Sequence, residues 1–392
     1  MASYISSNEN RFYTALETSY GAVGEITSGN RIPALKLTVQ QQLDMKDRKD
    51  KTGSRTFAGL PAGGRRRTNF ELHTYLTSWQ KSSGSTPAYG PMFQSALGGA
   101  PLHFAGGTVA SGTGVGRLAF GAPHGLGAGQ AVVSGGEIRF VAAIVDAHTV
   151  QLNAPFTLPP GSGTQVGAAV TYLPATVLPS ASIFDFWSPS TAVQRLLCGA
   201  AIDQMEILVN GDYHEVHFKG LAQDVLDSSS YSGGSAGQLQ GFPQEPALDA
   251  FDFSVVPGNL GQAWLGTSPT QFFTITSASV VVKNSLETRS KEFGSTLPRA
   301  ICPGQRSVTA AFDLYSQDDD ATTGLYQAAR QRSPVSLMLQ LGELEGQVMG
   351  VYLTSVIPEV PEFDDGDNRL QWKFRSSRAQ GTVDNEIAVA FG

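Results

Sequence analysis

Apolar and polar positions alternate with a period of two along much of the chain, as in strands that bury one face. Residues 33–40 set the pattern, with Leu35, Leu37 and Val39 on one face and Lys36, Thr38 and Gln40 on the other. Alternation returns over 67–76 through Phe70, Leu72 and Thr74. The same pattern predicts strands at Met205–Val209, His214–Phe218, Val335–Leu341, Gln347–Val356 and Arg369–Arg375. The final EIAVAFG gives one more, with Ile387, Val389 and Phe391 on one face. Asn210-Gly211, between two of these runs, is the strongest short hairpin signal in the chain. Helix signals are few. Tyr89–Leu97 reads as a short helix. Ser188 as N-cap and Pro189 in the first turn predict another within Ile183–Ala200, in SPSTAVQRLLCGAA. Asp318–Arg332 predicts a third, with acids at its start and arginines at its end.

The strand pattern occurs twice. Arg31–Leu72 and Thr274–Leu314 each open on a strand-like run and continue through an apolar-acidic pair, Leu43-Asp44 and Leu286-Glu287. A charged, irregular stretch follows in both. Gly53-Ser54 matches Gly294-Ser295, Pro61 matches Pro303, and Phe70-Glu71-Leu72 matches Phe312-Asp313-Leu314. The copies lie about 242 positions apart, and self-similarity at a fixed distance with two copies is read as a domain duplication. Gly211-Asp212 leading into YHEVHFKGLAQ, and Gly366-Asp367 leading into NRLQWKFRSSRAQ, extend the match.

Between the copies the composition changes. Residues 102–175 have no twin and carry short strands at Gln130–Val133, Glu137–Val145 and Thr149–Leu152, broken by Ser134-Gly135-Gly136 and Asp146-Ala147-His148. They are read as a small β-module inserted at a loop. Residues 1–30 are read as an N-terminal arm that Phe12, Tyr13 and Leu16 dock on a neighbouring surface, and 227–250 as a Ser/Gly-rich linker.

Composition agrees with a turn-rich β protein: 16% charged residues, 41% hydrophobic residues and 44 glycines in 392 residues. A formal net charge of −7 argues against a surface that grips nucleic acid throughout. Its two cysteines, Cys198 and Cys302, make no CxxC pair and no disulfide framework. The start, MASYISSNENRFYTALETSYG, has no apolar core of signal-peptide type, and no run is long enough for a transmembrane helix. The expectation is folding in a reducing cytoplasm, with no membrane partner.

Motifs that carry chemistry are scarce. His214 and His217 lie three apart on a strand and so point to opposite faces, His214 inward and His217 outward. The histidines at 73, 103, 124 and 148 are scattered along the sequence. No metal or cofactor is expected. The glycine-rich stretches Gly112–Gly116 and Gly125–Gly129 lack a following Lys-Ser/Thr and read as turns. Nothing groups a nucleophile with a base, so the chain is not read as an enzyme. What remains is two long loops, Asp44–Arg67 and Glu287–Arg306, with mixed charge. Loops of that length usually have a task. Lys46, Arg48, Lys49, Lys51, Arg65, Arg66 and Arg67 in the first, with Arg289, Lys291 and Glu292 in the second, are candidates for contact with a polar partner.

The twinned segments, the endings FKGLAQDV and FRSSRAQ, and the start FYTALETSYGAV…NRIPALKL resemble the tail tube proteins of long-tailed bacteriophages. The likeness covers roughly 10–95 and 180–392 and leaves out the insert. It implies a mainly β fold: two tandem tail-tube-type β-sandwich or barrel domains, each with a short helix, plus the inserted β-module. The first domain would be formed by 31–101 with 176–226, and the second by 251–392. It further implies a structural virion protein, assembled in the host bacterial cytoplasm. Three duplicated chains would form each ring, and rings would stack into the channel for DNA passage. The charged residues named in the two loops would then make inter-ring contacts. Partners would be other copies and the tail proteins at the tube ends, with DNA passing through transiently and without specific binding. The duplication and the insert depart from the family's simple sixfold pattern. The rival expectation is a virion-surface or secreted β-sandwich whose insert binds a carbohydrate or receptor.

Overall fold

Alternating residues in the first half pair as their faces require. The computed structural model describes residues 4–44, 49–57, 59, 63–79, 86–234, 239–248, 253–266 and 268–392. The fold is mainly β, with large antiparallel sheets and two α-helices among these residues. Strands β1 (Asn10–Leu16), β2 (Arg31–Ile32), β3 (Ala34–Asp44) and β4 (Arg65–Tyr75) lead to helix α1 (Gly90–Leu97). An excursion holding β5 (Leu102–Phe104) and β6 (Ala169–Tyr172) follows. The half then closes with β7 (Ala181–Trp187), β8 (Arg195–Val209), β9 (Glu215–Ala222) and β10 (Asp224–Asp227).

The second half runs β11 (Gly261–Gly266), β12 (Thr270–Gln271), β13 (Ile275–Lys283), β14 (Ser307–Tyr315), α2 (Asp320–Gln331) and β15 (Val335–Leu341). It ends with β16 (Met349–Ile357), β17 (Glu362–Asp364), β18 (Gln371–Ala379) and β19 (Ala388–Phe391). Its pairings repeat those of the first half. β3 pairs with β4 and β4 with β9; β13 pairs with β14 and β14 with β18. β2–β1–β7–β8–β10 recurs as β12–β11–β15–β16–β19. The single strand β8 does the work of two in the second half. Its first part matches β16, and its last part, paired with β9, matches β17, which pairs with β18. In each half a helix follows the second strand of the repeated unit. The excursion enters only the first copy, between α1 and β7.

The last part of β8 also pairs with β13, from Gln204↔Lys283 to Val209↔Ala278. The halves therefore share one continuous antiparallel ladder of eight strands, β3-β4-β9-β8-β13-β14-β18-β17. One face of it is apolar and buried: Phe70, Leu72, Val216, Phe218, Met205, Ile207, Val280, Val282, Phe312, Leu314 and Phe374 belong to a single core cluster. Phe93 of α1 packs edge-on against Phe218 at 5.4 Å and Phe391 at 5.2 Å, and Leu325, Ala328 and Ala329 of α2 enter the same cluster. Burying each Leu or Phe contributes about 1.5–3 kcal/mol. Asp319 caps α2 by accepting from the Thr322 N–H at 2.6 Å, which satisfies one orphan donor of the first turn. No helix among the described residues is long and apolar enough to cross a membrane.

Four expectations are corrected. The helix predicted in SPSTAVQRLLCGAA is a turn followed by β8. Leu196, Leu197, Cys198, Ala200 and Ala201 are buried on both faces of a sheet, so alternation is lost and burial overrides helix propensity. Gln194 fixes the turn, accepting from the Trp187 N–H at 2.5 Å and donating to the carbonyls of Trp187 and Ala192. The Phe12–Leu16 stretch of the expected arm lies in β1, in register with β7 from Asn10↔Trp187 to Leu16↔Ala181 and buried within the chain from Phe12 to Ala15. The loop Glu287–Arg306 is not wholly aperiodic, since Glu287–Thr288 pairs with Ile301–Cys302.

The fourth correction concerns the insert, which does not stand apart. Its strands Arg117–Ala119, Ala131–Ser134, Glu137–Ile144 and Thr149–Leu152 form a small sheet over their own core of Leu118, Phe120, Val132, Val141 and Val150. The other face, with Val133, Ile138 and Phe140, packs on Trp264, Met338 and Tyr352 of the second half. Packing is so close at Gly350 that an added Cβ would fall 2.8 Å from the Phe140 ring. β6 pairs with β19, Val170 opposite Phe391, and β5 with β6, so the ends of the insert extend the second half's sheet. Arg139, fully buried, closes the seam. Its guanidinium donates to the Pro155 carbonyl, Glu137, Gln262 and Gln340, between the rings of Phe156 and Trp264. Burial lowers its pKa to about 10, against the pull of Glu137.

Candidate assembly surface

The second face of the eight-stranded ladder is polar. Strict alternation puts Asn69, Glu71, His73 and Tyr75 of β4, and Glu215, His217 and Lys219 of β9, opposite the buried set. Glu206 of β8, Lys283 of β13, Asp313 of β14 and Lys373 of β18 continue that face. Three of its cations are met by carboxylates: Lys219 lies 3.2 Å from Glu71, Arg375 lies 3.3 Å from Asp313, and Lys373 pairs with Asp364. Opposite signs alternate, and no single-sign field develops.

Both ends of this ladder are open. Among the described residues the outer edges of β3 and β17 have no strand partner. β3 spans 11 residues, and all but Ala34, Leu37 and Val39 are exposed. Unpaired edge N–H and C=O groups are a template for another strand.

The two long loops converge beside the ladder. The Arg66 N–H donates to the Thr296 carbonyl at 2.9 Å, and the Arg65 guanidinium to the Lys291 carbonyl at 3.0 Å. The Arg66 side chain also reaches Asp224 at 3.4 Å. Arg289 pairs with Glu292, which lies 3.6 Å from Arg299. Lys49, Lys51, Arg67 and Lys291 are exposed. Lys46 and Arg48 lie outside the described residues. Of the predicted contact residues, the structure thus brings Arg65, Arg66 and Lys291 together and spends much of the loops' charge within the chain. Sequence reading passed over the loops' exposed aromatics, Phe57 at 62% and Phe293 at 103% exposure, although an unpatterned Phe in a charged stretch is a visible signal.

The histidines also need correction. His214 is buried as expected, and burial lowers its pKa while a ring nitrogen lies 3.0 Å from the Leu260 carbonyl. His217 faces the polar side, but His73 is not isolated. It sits directly opposite His217 in the β4–β9 register, with ring centroids 3.7 Å apart and nearly parallel. The clue was in the sequence as a repeated Glu-x-His, Glu71-Leu72-His73 and Glu215-Val216-His217, on strands that proved to be neighbours.

No protein-family model matches the chain, and no curated protein matches it.

Proposed function

We propose that the chain is a structural subunit of a phage-type tail tube, with two tandem tube domains per chain and three chains closing each ring. One observation carries the reading. The junction between the halves is heterologous, joining the end of β8, counterpart of β17, to β13, counterpart of β3. The same two edge types stay open at the ends of the ladder. A second copy can therefore repeat between chains the contact that the halves make within one. A head-to-tail contact of this kind closes into a ring if its rotation allows. The ring has no free edge, and the balanced polar face becomes its lining. A lining without a field of unpaired cations would let phosphates pass without holding them.

Successive N–H groups on an edge strand alternate between inward and outward, so of Gln42→Pro and Leu43→Pro, both at exposed positions of β3, one removes only an outward donor. That variant is expected to fold and to stay monomeric, whereas the parent forms rings or tubes under negative-stain electron microscopy. A parent that stays monomeric at high concentration would refute the reading. So would normal rings from both proline variants.

A further inference from the structure

The polar face carries a cluster that the assembly reading does not use. Antiparallel pairing of β4 and β9 sets His73 opposite His217. Each ring hydrogen-bonds a carboxylate two residues back on its own strand: His73 Nε2 lies 2.7 Å from Glu71 and His217 Nε2 lies 2.9 Å from Glu215. Ligand atoms of His73, Glu215 and His217 all lie within 4.8 Å of one another. The rings are partly exposed, at 26% and 15% for the side chains, so an ion has access from solvent.

We propose that His73, His217 and Glu215 form a binding site for a zinc-type divalent transition-metal cation. Two neutral imidazoles and one carboxylate are the donor set of three-ligand zinc sites, with the fourth position open to water. Imidazole donors also suit nickel and copper and disfavour calcium and magnesium, which take oxygen ligands. The sheet supplies pre-organisation, because both histidines sit on rigid paired strands rather than on a loop. Ligation needs each imidazole neutral, with its remaining ring proton on Nδ1, and the carboxylate ionised, so the cation competes with protons and binding weakens as pH falls. The charges facing the site come from four adjacent strands, β3, β4, β9 and β8. Glu71, Glu215 and, opposite His217 on β8, Glu206 favour a cation; Lys219 and, opposite His73 on β3, Lys36 oppose it. Glu71 also holds His73, and its own carboxyl is lowered chiefly by that hydrogen bond. The inference does not rest on ring assembly.

The test is calorimetric titration of the full chain with zinc chloride and nickel chloride at neutral pH, with calcium chloride as the comparison. Zinc and nickel are expected to bind one per chain, and calcium not at all. His73→Asn and His217→Asn should each weaken zinc binding at least tenfold, while His148→Ala in the insert leaves it unchanged. A second measurement needs no variant: zinc should protect His73 and His217 of the parent chain from diethylpyrocarbonate, read by peptide mass mapping. Absence of zinc binding, parental zinc affinity in either Asn variant, or failure of zinc to protect the pair would overturn the site.

Discussion

Glu17 shows what a single buried carboxylate does here. One oxygen accepts from the Gly21 N–H at 2.8 Å and the Ser180 hydroxyl at 2.6 Å. The other accepts from the Gly199 N–H and the Ser182 hydroxyl, both at 2.8 Å. The side chain thereby ties the turn after β1 to β7 and β8. Burial raises its pKa, and these donors work against the rise. Glu17→Gln is close to isosteric, yet each oxygen faces a backbone N–H that can only donate. Either flip of the amide sets an NH₂ against one of them. Leaving such a group unsatisfied costs about 1–3 kcal/mol, so a lowered denaturant midpoint with an unchanged slope is expected. A midpoint equal to the parent's would mean that the four donors contribute nothing. Nothing in the sequence marked Glu17, because its partners come from Gly21, Ser180, Ser182 and Gly199, far apart along the chain.

Elements were legible where one face is buried and the other wet. Val335–Leu341 was found to the residue, β4 to within two residues at each end, and β9 over its first half, because alternation is a local record of a two-sided environment. β8 was misread over Arg195–Ala201 because burial on both faces erases that record. β6 and β19, paired across more than half the chain, left no local trace of each other. The insert's docking was equally hidden, and it changes what removing the insert should do. Deleting 102–175 would uncover Trp264, Met338 and Tyr352 and strip β6 from β19, so an unstable or aggregating product is expected rather than a clean excision. A milder probe is Arg139→Leu. It removes the donors to Glu137, Gln262 and Gln340 while keeping a large side chain. Breaking a buried ion pair at one partner costs about 3–5 kcal/mol. Thermal melting should fall accordingly, and proteolysis should begin within 102–175. Unchanged melting and an intact insert would show that apolar packing alone holds the seam.

At the scale of the whole molecule, the proposed tube would grow around a ring through the ends of the ladder, and the loops are left as the surface for growth along an axis. Their charged residues were the natural candidates from sequence. Arg65 and Arg66, however, bond within their own chain, and Arg289 and Glu292 pair with each other. Exposed ion pairs are worth about 0–1 kcal/mol. Phe57 and Phe293 are different, one exposed ring on each of the two long loops with no buried role in the chain. Burying one such ring against a neighbouring subunit would contribute about 1.5–3 kcal/mol, and repetition around a ring multiplies the effect. The double variant Phe57→Ser, Phe293→Ser is therefore expected to fold, to form rings and to give markedly shortened tubes. Arg65→Ser, Arg66→Ser and Arg67→Ser together should shorten them less, acting mainly by loosening the hold of one loop on the other. Tube lengths measured by negative-stain microscopy separate the two effects, with circular dichroism confirming that each variant is folded. Tubes of parental length from the phenylalanine variant would exclude the aromatics from the stacking contact, and a stronger effect of the arginine variant would return that role to charge.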